Sequence, residues 1–303
     1  MGKAKVLVLD IKKHRFKYLI ILPILIYLII FDYKPMYGII IAFKKYRPAL
    51  GIWGSKWVGL QHFESFFGDP YFFRTMRNTL IISLQGILFA FPLPILFALL
   101  LNEVQTKWFK KSIQTISYMP HFISMVVVCG LVRNFCQSNG VINDIVEFFG
   151  GERQNLLAQK EYFRSIYLIS GVWKDLGWNS IIYLAALASI DQEQYDAAKV
   201  DGASRIQQMI HITLPGLFPI MSTLLILKVG NILSVGYQKI ILLYSETTYE
   251  VADVISTYVY RYGLLGGEYS YSTAVGLFNS IVNIILLRIA NWLTKKLGQS
   301  GLF

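Results

Sequence analysis

Long apolar runs alternate with short polar connections along this chain, and their lengths predict membrane-crossing helices. The apolar runs cover residues 18–31, 79–101, 115–135, 164–188, 218–236 and 272–293. About 20 apolar residues in a helix cross a bilayer, so this pattern predicts an all-α polytopic protein with six transmembrane helices. Residues 36–43 form a further apolar run that is too short to span, and read as interfacial or packed on the bundle. Pro92 and Pro94 fall inside the second run and predict a kinked or broken helix there. The polar stretch 137–163 predicts a short surface helix, and 237–271 reads as a long aromatic and polar loop.

The connection at 194–219, QYDAAKVDGASRIQQMIHITLPGLFP, has its own pattern. Ser189 with Gln192 and Ser204 with Gln207 each fit a capping box. Gly202 stands where a left-handed residue would end the first helix, and Pro215 removes a donor before the next apolar run. The prediction is helix, turn, helix, then entry into the membrane.

Composition agrees with the pattern. Hydrophobic residues make up 54% of 303 and charged residues only 16%, which excludes an ordinary soluble domain. The net charge of +11 does not read as nucleic-acid binding, because the basic residues cluster beside apolar runs. Lys3, Lys5, Lys12, Lys13, Arg15 and Lys17 precede the first run, with no small-x-small cleavage site after it. An uncleaved first span with a cytoplasmic N-terminus follows. Lys and Arg in the two sets of connections number 13 and 11, so position decides orientation rather than count. The N-terminal cluster and Lys107, Lys110 and Lys111 lie close to span ends, which places both termini and 190–217 in the cytoplasm. Cys129 and Cys136 are seven residues apart on one helix, too far for a disulfide, and read as buried thiols.

Catalytic chemistry is not visible. There is no G-x-x-x-x-G-K-[ST] phosphate loop, and His14, His62, His121 and His211 have no metal-like spacing. Energy for any transport must come from a partner or an ion gradient. Polar residues inside spans are costly and therefore informative. Asp175, Asn179 and Tyr183 share one helical stripe, Ser170, Lys174 and Trp178 a neighbouring one, and Lys228, Asn231 and Ser234 recur on the fifth run. With Trp173, these suit a pathway for a hydroxyl-rich solute. Alternatively, Asp175 and Lys228 form a buried structural ion pair, or Lys174 snorkels to the outer interface.

Asp196-Ala197-Ala198, Gly202, Ile212 and Leu214-Pro215 resemble the EAA loop of ABC-importer membrane subunits, with Asp196 where that family usually has Glu. Residues 22–46, 173–191 (WKDLGWNSIIYLAALASID) and 249–264 (YEVADVISTYVYRYGL) resemble LplB-type permeases of the carbohydrate-uptake class. The resemblance implies a type I importer permease fold, one transmembrane domain over 1–303, in a bacterial plasma membrane. It implies a second homologous permease, two cytoplasmic ATPase subunits holding ATP and Mg, and an external solute-binding lipoprotein. The implied solute is an oligosaccharide or glycan fragment. The loop would be the coupling joint, with Asp196 meeting a basic ATPase residue, Ala197 and Ala198 allowing close approach, and Ile206, Met209, Ile210 and Thr213 forming a contact face. Another solute class of ABC importer, or a gradient-driven carrier, is the alternative.

Overall fold

The computed structural model describes residues 13–296 together with 298, 301 and 302. Lys3, Lys5 and Lys12 of the basic cluster lie outside the described residues. Among the described residues, five helical stretches are long and apolar enough to cross a membrane: α1 (Arg15–Phe43), α2 (Phe72–Glu103), the stretch Met125–Phe148, and two nearer the C-terminus, Arg205–Gly230 and Tyr269–Lys296. A sixth helix, Lys160–Ala188, has 29 residues and is about 43 Å long. It has the length to cross, and the polar residues in its middle set it apart from the other five.

Two compact units are present. The first comprises Met1–Phe67 and Tyr262–Leu277. In it α1 runs directly into an antiparallel hairpin, β1 (Lys44–Arg47) and β2 (Ser55–Trp57), with Lys44 opposite Trp57 and Lys45 opposite Lys56. The second unit comprises Gly68–Arg261 and Phe278–Phe303. It holds α2, then α3 (Lys107–Tyr118), α4 (Met125–Cys136), α5 (Val141–Phe148) and α6 (Lys160–Ala188). The chain continues through α7 (Gln192–Val200), α8 (Arg205–Gly230) and α9 (Tyr237–Leu243). The last helix, α10, is Tyr269–Lys296.

Prolines break fewer helices than their number suggests, and the reason is a shared device. A π turn precedes three of them: Ile29–Tyr33 before Pro35, Gly86–Ala90 before Pro92, and Met209–Thr213 before Pro215. The extra residue in the turn relieves the clash between the proline ring and the carbonyl one turn back. Residues 37–43 follow without a break as a 3-10 helix in which Ala42 is buried, so the short apolar run is joined to the first span and packed at that end. The kink expected in α2 takes the form of its wide turn. Pro215 does not separate residues 205–214 from the apolar run that follows, because α8 runs through both.

Elsewhere breaks occur where none was expected. The run 115–135 is two helices, α3 and α4, separated by a 3-10 turn at Met119–Phe122. Pro120 starts that turn, and the extended Ser124 caps α4 through Val127 N–H. The fifth run ends at Gly230, so Asn231 and Ser234 lie beyond the helix. The stretch 237–271 is not a solvated loop. Ile240, Leu243, Ala252 and Val254 from it are buried against Ile82, Cys129, Cys136 and Phe163. Both cysteines are buried and unpaired, as their spacing requires.

Candidate functional site: a polar cavity and a protruding helix pair

Three irregular pieces of backbone surround one cavity in the second unit: the wide turn of α2, the start of α4 at Met125, and the turn Asn231–Gly236 after α8. Its volume is about 760 Å³. Non-helical backbone at membrane depth is tolerated where it is packed in protein or lines such a space. Its freed groups are met by side chains from other helices. Ser83 Oγ donates to the Ile232 carbonyl, Ser256 Oγ to the Val235 carbonyl at 2.5 Å, and Asn283 Oδ1 accepts from Leu233 N–H at 3.2 Å.

The break between α3 and α4 is closed from α6. Lys174 is buried, and its ammonium donates to the carbonyls of His121 and Pro120. A cation beyond the C-terminal end of α3 also complements that helix's dipole. Asp175, the next residue, binds His121 through the side chain: Oδ1 lies 2.9 Å from Nδ1. The His121 ring in turn stacks on Trp178 at 4.5 Å, nearly parallel. Below this point α3 approaches α6 so closely that a Cβ on Gly177 would overlap the Ser117 carbonyl.

Of the candidate pathway residues, Asp175, Trp178, Asn179, Lys228 and Asn231 line the cavity together. The whole stripe Asp175, Asn179, Tyr183 does so, and Ser234 joins from the turn. Lys174 and Trp173 are not among the lining residues. Lys174 does not snorkel outward, because the released carbonyls of His121 and Pro120 hold it inside the protein. The Asp175–Lys228 ion pair is not formed, since His121 holds the carboxylate. Sequence reasoning missed His121 as a member of the site and also missed Lys239. Lys239 lines the cavity from α9, is buried, and donates to the Tyr167 carbonyl at 2.5 Å while lying 4.4 Å over the Tyr167 ring. A lysine inside the apolar run of α9 was the available signal. Among the described residues, Lys228 is the cavity-lining cation whose ammonium meets no carboxylate or carbonyl, and it is exposed.

At the end of the bundle where α6 stops, the helix pair α7 and α8 protrudes. Asp191 caps α7 by accepting from Glu193 N–H, so the expected Ser189–Gln192 box is replaced. Ser189 instead ends α6. The second box forms as expected, with Ser204 and Gln207 satisfying each other's backbone donors. Gly202 has φ +74°. Ala203 N–H reaches the Ala198 carbonyl and Gly202 N–H the Lys199 carbonyl, the paired bonds of a Schellman end. Tyr195 and Thr213 hydroxyls, 2.9 Å apart, tie the two helices together.

Asp196 and Ala197 are exposed, Ala198, Ile212 and Leu214 half-buried, and Pro215 exposed. Asp196 pairs with Lys199 on its own helix at 2.9 Å, and that hydrogen bond holds its carboxyl below the usual range. The expected face of the second helix divides. Ile206 and Ile210 are exposed, whereas Thr213 is buried and Met209 packs against the cluster of Ile95, Tyr183, Leu187 and Leu217. Val200, 88% exposed at the tip of α7, adds an apolar contact point that the sequence reading did not single out.

Comparison with known proteins gives consistent matches. The model of a family described as binding-protein-dependent transport system inner membrane component matches residues 90–299. The Bacillus subtilis polygalacturonan/rhamnogalacturonan transport system permease protein YteP is 47% identical over 99% of this chain and 94% of its own. Protein LplB of the same organism is 46% identical over 100% and 95%. A chain in the crystal structure of a bacterial ABC transporter that imports the acidic polysaccharide alginate superposes with a TM-score of 0.88. It is 46% identical, covering 96% of this chain and 98% of that one.

Proposed function

The chain belongs to the family of binding-protein-dependent transport system inner membrane components, and on that premise we propose that its cavity passes an oligosaccharide bearing carboxylate groups. The chain is a multi-pass membrane permease of the sugar ABC-importer class. Lys228 carries the acidic part of the reading. Three charged side chains line the cavity, and two are engaged: Asp175 by His121 and Lys239 by the Tyr167 carbonyl. The remaining ammonium, Lys228, sits beside Asn231 and opens to the space where a uronate carboxylate would pass. Trp178 offers an aromatic face to a sugar ring, and Asn179 an amide to its hydroxyls. The acidic polymers named for YteP and for the alginate importer support this choice of solute.

The driving chemistry lies outside the chain. ATP and Mg act on two cytoplasmic ATPase subunits, which grip the α7–α8 pair around Asp196, Ala197, Ala198, Gly202, Ile212, Leu214 and Pro215. Because α8 continues unbroken from this pair into its span, displacement of the loop moves Lys228 and Asn231 at the far end. A second permease completes the passage, an external solute-binding lipoprotein supplies the sugar, and both termini face the cytoplasm.

Uptake of a galacturonate oligomer and of a neutral oligomer of equal length tests the reading. Lys228→Gln lowers uptake of the acidic oligomer by about tenfold, one lost charge contact of about 1.4 kcal/mol, and leaves the neutral one unchanged. Equal losses for both would remove the assignment.

A further inference from the structure

We infer that the β1–β2 hairpin is an anchor for anionic phospholipid headgroups. Its two faces differ sharply. Lys45 and Lys56 are direct cross-strand partners, and Arg47, two residues along β1, lies on the same face. All three are exposed, and no carboxylate pairs with any of them among the described residues. Like charges placed directly opposite each other weaken a strand pair, so the arrangement calls for an anion from outside the hairpin.

The other face is aromatic. Trp57, opposite Lys44, stacks on Phe43 at 5.8 Å, and Trp53 packs on Tyr37 at 5.8 Å. Both indoles remain largely uncovered, Trp53 at 78% and Trp57 at 61%. Lys44 on this face is drawn inward, its ammonium donating to the Ile52 carbonyl at 2.8 Å and lying 5.7 Å from the Trp53 ring centre, so it leaves the outer surface of the face to the rings. Aromatic rings on one side and free cations on the other match the layer where acyl chains give way to phosphates.

Position supports the same partner. Residues 18–43 of α1, with Tyr37–Phe43 at the longer 3-10 rise, extend about 43 Å, against about 30 Å of hydrocarbon and 40–45 Å with headgroups. Tyr33, Lys34 and Tyr37 mark the approach to the boundary, and β1 begins at the next residue after the helix, without a linker. The hairpin therefore emerges at headgroup depth whichever way the chain is oriented. It is independent of the solute that the cavity carries.

The full-length chain, reconstituted with brominated phosphatidylglycerol or brominated phosphatidylcholine, provides the test through tryptophan quenching. The hairpin signal is the part lost in a Trp53→Phe/Trp57→Phe variant. That signal is quenched preferentially by phosphatidylglycerol, and each of Lys45→Gln, Arg47→Gln and Lys56→Gln lowers the preference by about twofold to fivefold. Equal quenching by the two lipids, or a preference unchanged in the triple variant, overturns the inference. So does a triple variant that keeps its lipid preference but loses stimulation by an external binding protein, which would make this face a protein-docking surface. Size-exclusion elution of each variant at the wild-type volume confirms that the charges, not the fold, were removed.

Discussion

The carboxylate of Asp175 is bound to the imidazole of His121, 2.9 Å from Oδ1 to Nδ1, and not to the ammonium of Lys228. The neighbouring Lys174 reaches the backbone carbonyl of the same histidine. Adjacent residues on a helix point in different directions, so one contacts the side chain and the other the main chain. His121 is thus held from α6 at two points, with Trp178 against its ring. This fixes the unwound segment between α3 and α4 behind the cavity-lining Asp175 and Trp178.

A double-mutant cycle measures the first contact. Asp175→Asn and His121→Phe each lower the thermal stability of the purified protein, and the double variant is less affected than the sum. A coupling of about 0.5–3 kcal/mol is expected for residues sharing one contact. Strict additivity would show that the pair carries no energy.

Lys174→Met leaves the Pro120 and His121 carbonyls without their donor. A buried acceptor without its partner costs about 1–3 kcal/mol, so the melting temperature falls while membrane insertion persists. Because the residue does not line the cavity, uptake of acidic and neutral oligomers should fall together, unlike the outcome for Lys228→Gln. A solute-selective loss would contradict the structural role of Lys174.

Gly177→Ala forces a methyl group into the Ser117 carbonyl and the Tyr118 ring. Overpacking of this kind costs about 1–3 kcal/mol. Gly130 on α4 has open space around the corresponding position, and Gly130→Ala serves as the neutral control. Thermal denaturation of the two variants separates close helix approach from a general dislike of alanine.

At Gly202 the constraint is conformational, since nothing lies within 4 Å of an added Cβ but φ is +74°. A left-handed non-glycine residue costs about 1–2 kcal/mol, with asparagine tolerated better than alanine. Solute-stimulated ATP hydrolysis by the assembled transporter should fall in the order Gly202, Gly202→Asn, Gly202→Ala. Gly202→Asp should lose stimulation or assembly while remaining inserted. Unchanged coupling across the series would remove α7–α8 as the coupling joint.

Local signals were legible where one stretch of chain decides its own conformation. Gly202, the Ser204–Gln207 box and the lengths of most apolar runs specify α7, the turn and the spans, because capping and hydrophobic burial act within a few residues. The Asp175–Asn179–Tyr183 stripe followed from helix periodicity alone, and all three residues line the cavity. Tertiary structure decided what those residues meet. By charge Asp175 pointed to Lys228, and only the packing of α3 on α6 brings His121 to it instead. Lys174 lost its outward route because the Pro120 break presents bare carbonyls beside it. Lys239 sat in what read as a loop, and its burial arises from α9 packing on α4 and α6, pieces far apart in sequence. Proline effects also depended on context: three are absorbed by π turns, whereas Pro120 begins an unwound turn whose freed carbonyls are met from α6. Sequence determined the helices and their caps; the distant donors that satisfy each interruption of a helix exist only in the folded bundle.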